Sequence, residues 1–129
     1  MISFNPLIIP EGQPYIHRLT NLALEAARQG KAIPFTLKVS HLIWSGTVEN
    51  WTAGTLLADE IADADLDLAE MEAAIAADPD YYANHLDENQ TNHRNSGHWG
   101  VPCMVYNDKP FFGQDRIELL KWRVSESRT

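Results

Sequence analysis

Apolar positions along most of this chain recur with the period of a helix. Over residues 16–29, Ile16, Leu19, Leu22, Ala23, Ala26 and Ala27 fall three and four apart, a spacing that puts them on one helical face. Gly30 follows as a natural stop. Residues 33–44 predict a second helix, with Pro34 suited to its first turn. Its apolar surface (Phe35, Leu37, Val39, Leu42, Ile43, Trp44) is broader and less regular, and Ser45 and Gly46 end it. Residues 51–62 predict a third, with Leu56, Leu57 and Ile61 on one side. Asp67 followed by Glu70 has the spacing of a capping box and marks a fourth start. Leu68, Met71, Ala74 and Ile75 then turn inward until Asp78-Pro79 stops the run. The stretch from Pro79 to Gly97 is helical but polar; Tyr81, Tyr82, Ala83 and Leu86 are its apolar residues, so much of it is solvated.

The two ends read differently. ISFNPLII, residues 2–9, suits a strand through Phe4, Ile8 and Ile9. Pro6 would cost a central strand a ladder hydrogen bond, so the expectation is an edge strand or an extended lead-in, followed by a loop over residues 10–15. Near the other end CMVYN predicts a strand and Asn107-Asp108 a two-residue hairpin turn needing positive φ. PFFG is the return strand, with Pro110 at its start. DRIELLKWRV then predicts a helix, with Ile117, Leu120 and Val124 on one face and Asp115 and Glu118 at capping-box spacing. No repeat, low-complexity run or internal boundary is visible.

Length and charge narrow the function classes. A chain of 129 residues fits one domain with a real core. Its net charge of −8 offers no basic face to displace counterions, which argues against nucleic acid as a partner. No apolar run approaches membrane-spanning length. The first fifteen residues lack a basic start and are broken by Pro6 and Pro10, unlike a signal peptide, so the cytoplasm is the expected location. A single cysteine, Cys103, leaves no internal disulfide and no CxxC pair.

The chemistry-bearing residues mostly admit plain readings. His85, His93 and His98 are spaced by 8 and 5, which does not place them on one helix face, so solvated or capping histidines are expected rather than a metal site. The acidic run from Asp59 to Glu72 reads as the wet face of two helices, since no turn-forming glycine accompanies it as a calcium loop requires. Cys103 lies inside an apolar strand, where a thiol behaves as a small hydrophobe. Gly100-Val101-Pro102 is more specific: a proline opening a strand after a glycine is a candidate cis bond. It would let Val101 offer its N–H and C=O to an extended, peptide-like ligand, with Asp115 placed to receive an ammonium group. An ordinary strand-opening proline and a simple helix cap are the alternatives, and spacing alone favours them.

The stretch GHWGVPCMVYNDKPFFGQDRIELLKW resembles the C-terminal end of the 2-hydroxychromene-2-carboxylate isomerases and kappa-class glutathione transferases, a branch of the DsbA-like thioredoxin superfamily. Trp99 to Arg116 follow that family's pattern without a gap, except that Cys103 stands where Thr is common. Asn89 resembles the Asn that opens the corresponding upstream helix end, and the match is specific over residues 86–124. Earlier segments, LEAARQGKAIPFTLKVSHLIWSG and LADEIADADLD, resemble the family's helical insertion more weakly but in order, and ISFNPLII its second strand.

The resemblance implies an α/β, thioredoxin-like fold over residues 1–129, with a helical insertion at about 16–97 and a ββα end at about 101–124. It implies glutathione as cofactor: Val101 and Pro102 would pair with its cysteinyl part, and Asp115 with Gln114 would bind the γ-glutamyl end, helped by a helix N-terminus. The substrate would be a small aromatic compound, and no metal is implied. In the isomerases the thiol adds to an unsaturated aromatic pyruvate, permits rotation and leaves.

One departure changes the expectation. The family's first strand and helix carry the active Ser or CxxC, and nothing before ISFNPLII resembles them. No catalytic residue is therefore assigned, and the chain alone is expected to be inactive. The missing strand would be the central one, so a homodimer, a complementing chain, a rearranged sheet or a longer reading frame would have to supply a partner for the strands beside it. A non-catalytic dimerisation or interaction module is the alternative; a thiol–disulfide oxidoreductase is disfavoured, because one cysteine cannot cycle within one chain.

Overall fold

A computed structural model describes residues 15–128; the strand expected at 2–9 and the loop that follows lie outside them, apart from Tyr15. The chain forms two compact units that meet between Ala83 and Asn84.

The first unit is helical. It comprises α1 (Tyr15–Arg28), α2 (Ala32–Trp44), α3 (Leu56–Ala62), α4 (Leu68–Ala77) and the opening of α5 (Pro79–Asn95). α1 packs on α2 and α4, and α3 on α2 and α4. The inward residues are those the periodicity marks: Leu22 and Ala26 from α1, Phe35, Val39 and Leu42 from α2, Leu57 and Ile61 from α3, and Met71 from α4. Each large apolar side chain buried this way contributes about 1.5–3 kcal/mol over leaving it in water. The irregular stripe of α2 resolves into those three buried residues, while Leu37 and Trp44 stay exposed. The helix boundaries follow from local chemistry. Gly30 and Gly46 turn the chain at φ +75° and +76°. Asp67 caps α4, its carboxylate accepting the Glu70 N–H at 3.0 Å.

The third helix is shorter than the spacing suggested. Residues 51–55 are turns, and α3 begins only at Leu56. The Asn50 carboxamide oxygen accepts the Thr52 N–H at 3.0 Å, and Gly54 adopts φ +55°, so the backbone is committed to turns before the helix can start. Trp51 is buried from this turn and joins the core.

The second unit holds the rest of α5, the strands β1 (Cys103–Tyr106) and β2 (Lys109–Phe112), a 3₁₀ turn (Gln114–Arg116) and α6 (Ile117–Glu126). The strands form an antiparallel hairpin in which Tyr106 faces Lys109 and Cys103 faces Phe112. Asn107 and Asp108 make the turn at φ +50° and +59°, matching the right-handed twist of the strands. Closest to this turn, Tyr106 and Lys109 are a hydrogen-bonded pair, and alternation makes Met104–Phe111 the next. The Gly113 N–H to Pro102 C=O bond, 2.9 Å, continues the same series. Pro110 thus occupies a position whose N–H would point away from β1, so the hairpin loses no bond to it. Among the described residues of this unit only Gly100 and Phe111 are buried. Along α6, Leu120 and Val124 are half-buried and Ile117 is exposed. No described helix is long and apolar enough to cross a membrane.

Candidate functional site

The residues singled out by sequence, Val101, Pro102, Gln114 and Asp115, come together because the hairpin brings both of its ends to one place. Val101 and Pro102 precede β1, and Gln114 and Asp115 follow β2. The Gly113 N–H donates to the Pro102 C=O and fastens the two ends. Gly113 has φ +94°, and a Cβ there would lie 2.5 Å from Asp115 Oδ1, so only glycine lets the carboxylate fold back over this clamp. The Val101–Pro102 peptide bond is cis. Val101 is 76% exposed, and neither its N–H nor its C=O has a partner among the described residues.

Asp115 does not cap α6, contrary to its capping-box spacing with Glu118. It sits inside the 3₁₀ turn, and the residue at the cap position is Arg116, with no side-chain cap bond. The reason is Gly113, whose positive φ starts the turn early and displaces the carboxylate from the helix end. Asp115 is exposed and makes no hydrogen bond or ion pair among the described residues, which leaves its carboxylate available to a ligand cation. The Gln114 side chain is exposed beside it.

Two histidines do more than solvate. His93, near the end of α5, hydrogen-bonds through Nε2 to the Gly100 carbonyl at 2.9 Å, so that nitrogen carries the proton. The Gly100 N–H donates to His98 Nδ1 at 2.8 Å, so that nitrogen is the unprotonated one. The His98 ring stacks on Phe112, 4.0 Å between centroids. Ser96 Oγ donates to the His93 carbonyl at 2.6 Å. Gly100 is thus held from both sides, and a Cβ on it would run into the Phe112 ring. The residue that presents Val101 is fixed by this network. Spacing alone did not reveal it, since both histidines act on a loop whose path the sequence does not show.

Beside β1 lies a cavity of about 280 Å³ lined by Asn92, His93, Ser96, Val101, Cys103 and Val105. Cys103 is half-buried there, its Sγ 3.6 Å from Ser96 Oγ, in keeping with a small apolar strand residue. Among the described residues no group of three or more His, Cys, Asp or Glu side chains could hold a metal ion.

The strongest electrostatic feature lies in the helical unit and had no sequence signal. Glu25 on α1 is 1% exposed. Its Oε2 accepts Arg28 Nε and the Tyr82 hydroxyl, both at 2.7 Å. Its Oε1 accepts Arg28 Nη2 at 2.6 Å and Gln29 Nε2 at 2.9 Å. The Arg28 hydrogen bonds outweigh burial and hold the carboxyl at about 2, against 4.5 ordinarily. Burial, and then the bond to Glu25, push the Tyr82 phenol up. Every oxygen is satisfied, so the cluster is a structural link from α1 to α5 (Tyr82) and not a catalytic acid.

Comparison with known families gives one result. The family model of the DSBA-like thioredoxin domain matches residues 10–125. No curated protein and no solved structure gives a significant match.

Proposed function

The chain belongs to the DSBA-like thioredoxin domain family, and from that premise we propose that the Val101–Asp115 segment is a glutathione-binding half-site of the kind used by glutathione-dependent 2-hydroxychromene-2-carboxylate isomerases. Its α/β, thioredoxin-like architecture is reduced in the described residues to helices and a two-stranded sheet. One observation carries the reading. The Gly113–Pro102 hydrogen bond holds the unpaired backbone groups of Val101 and the unpaired carboxylate of Asp115 on one small scaffold. A tripeptide with an amide backbone and a free ammonium group matches both. Val101 would exchange hydrogen bonds with the cysteinyl residue; Pro102 would pack against it. Asp115 would accept the γ-glutamyl ammonium, and the Gln114 amide would bond the adjoining carboxylate.

Isomerisation would further require a group that activates the bound thiol. No stretch of the 129 residues resembles the family's serine-bearing strand and helix. We therefore expect the isolated chain to bind glutathione without turning over an aromatic substrate. An assembly module is the second reading, favoured by the sparse burial in the second unit.

Calorimetric titration of glutathione into the folded chain tests the reading. Binding weakened about tenfold or more in Asp115→Asn, equivalent to an interaction of at least about 1.4 kcal/mol, is the expected result. A folded chain that ignores glutathione, or binds it equally well without the Asp115 charge, refutes the half-site.

A further inference from the structure

Gly100 opens the segment that presents Val101, and two histidines hold it. Glycine has the freest backbone of any residue, so its φ and ψ are fixed here from outside. His98 Nδ1 accepts the Gly100 N–H at 2.8 Å and holds the peptide plane before it. His93 Nε2 donates to the Gly100 C=O at 2.9 Å and holds the plane after it, which carries the Val101 N–H. Gly100 is buried, so a bond lost there is not simply handed to water. The Phe112 ring closes another side, where a Cβ on Gly100 would collide with it.

The two bonds answer to protons differently. A carbonyl only accepts, so His93 donates through Nε2 in either charge state, and a proton on its other nitrogen leaves the bond in place. A backbone N–H only donates, so His98 must keep Nδ1 bare. An imidazolium carries a proton on both nitrogens and cannot accept, and two N–H groups would then face each other across 2.8 Å. Phe112 of β2 and Trp99 of the same loop stack on the His98 ring at 4.0 and 5.8 Å between centroids. Their faces tolerate a cation but do not restore the acceptor. Ser96, at the end of α5, bonds to the His98 backbone and not to its ring. The titratable groups beside this loop are His93, bonded to the other end of Gly100, and the Cys103 thiol of β1, in contact with Ser96 Oγ. Among the described residues no Asp, Glu, Lys or Arg forms an ion pair with His98.

We infer that neutral His98 is a positioning residue of the Val101 site and that its protonation releases Gly100, so that glutathione binding weakens as the pH falls. The inference rests on the glutathione reading of that site. Histidine is the side chain whose charge changes between pH 5 and 8. Glutathione keeps its carboxylates, ammonium group and thiol largely in one state between about pH 5 and 7, so a change of affinity in that interval comes from the protein.

Two substitutions separate the histidines. His93→Gln keeps an N–H donor in the place of Nε2 and removes its titration. His98→Asn puts a side-chain oxygen in the place of Nδ1, which accepts the Gly100 N–H at every pH. In the free, isotope-labelled full chain carrying His93→Gln, the Gly100 amide resonance should shift from pH 8 to pH 5 in step with the His98 ring. Adding His98→Asn should hold it still. Calorimetric affinity for glutathione should fall about fivefold or more from pH 7 to pH 5 in the parent and in His93→Gln, and stay level in His93→Gln/His98→Asn. A Gly100 amide that does not follow the ring overturns the inference. So does a parent whose affinity is level with pH, or a double variant that keeps the parent's pH dependence. A folded chain that ignores glutathione at pH 7 refutes the half-site, and the Gly100 amide still decides whether His98 is the lock.

Discussion

Replacing Glu25 by Gln should lower this protein's stability at neutral pH and remove the acid sensitivity that the Glu25 cluster supplies. The carboxylate is 1% exposed and accepts four hydrogen bonds from Arg28, Gln29 and Tyr82. Its pKa falls from 4.5 when unfolded to about 2 when folded. Because the folded value is the lower one, the unfolded chain takes up the proton first. The stabilisation is complete above the unfolded value and is lost as pH falls from there through the folded one. The interval corresponds to about 3 kcal/mol at neutral pH, of which about 2 kcal/mol is gone by pH 3. Arg28 is half-exposed, so solvent screening brings the measurable loss nearer to about 1–2 kcal/mol. Glutamine keeps the shape but cannot ionise, and its amide meets the Arg28 donors with a donor of its own. Urea unfolding of both proteins at pH 7 and pH 3, compared at equal m-values, gives the difference. Glu25→Gln should be less stable at pH 7 and should converge toward the parent at pH 3. A variant as stable as the parent at pH 7, or one with the parent's full pH dependence, would refute the reasoning.

Two further substitutions probe the elements that frame the site. Asp67→Ala removes the acceptor of the Glu70 N–H and should cost about 1 kcal/mol in urea unfolding, with α4 fraying at its start by amide exchange. Gly113→Ala forces a Cβ against Asp115 Oδ1 at φ +94° and should cost about 1–3 kcal/mol. The same variant should lose glutathione binding more than it loses stability, read by calorimetry on protein that circular dichroism shows to be folded.

The sequence made the regular elements legible wherever apolar periodicity and a terminator agreed. α1, α2, α4 and α5 fall within a residue or two of the expected ranges, because Gly30, Gly46, Asp67, Pro79 and Gly97 punctuate them. The hairpin was legible from Asn107-Asp108 for the same reason. The start of α3 was misplaced because apolar spacing does not register the turn made by Asn50 and Gly54, although both residues are turn signals in their own right. Asp115 was misread as a cap because Asp-x-x-Glu spacing takes no account of a glycine at positive φ just before it. Candidate ligand contacts at Val101 and Asp115 could be named from sequence, but the clamp joining them depends on hairpin register. The Glu25–Tyr82 bond joins residues 57 positions apart and leaves no local pattern. His93 and His98 likewise reach a backbone loop, and contacts to backbone impose no residue type that could be searched for.

The most direct test of the central claim is to locate glutathione by amide chemical-shift mapping on the isotope-labelled full chain. The account predicts perturbations concentrated at Val101, Cys103 and residues 113–116, saturating together and weakened by Asp115→Asn. Perturbations confined to the helical unit, or none at any concentration, would contradict it.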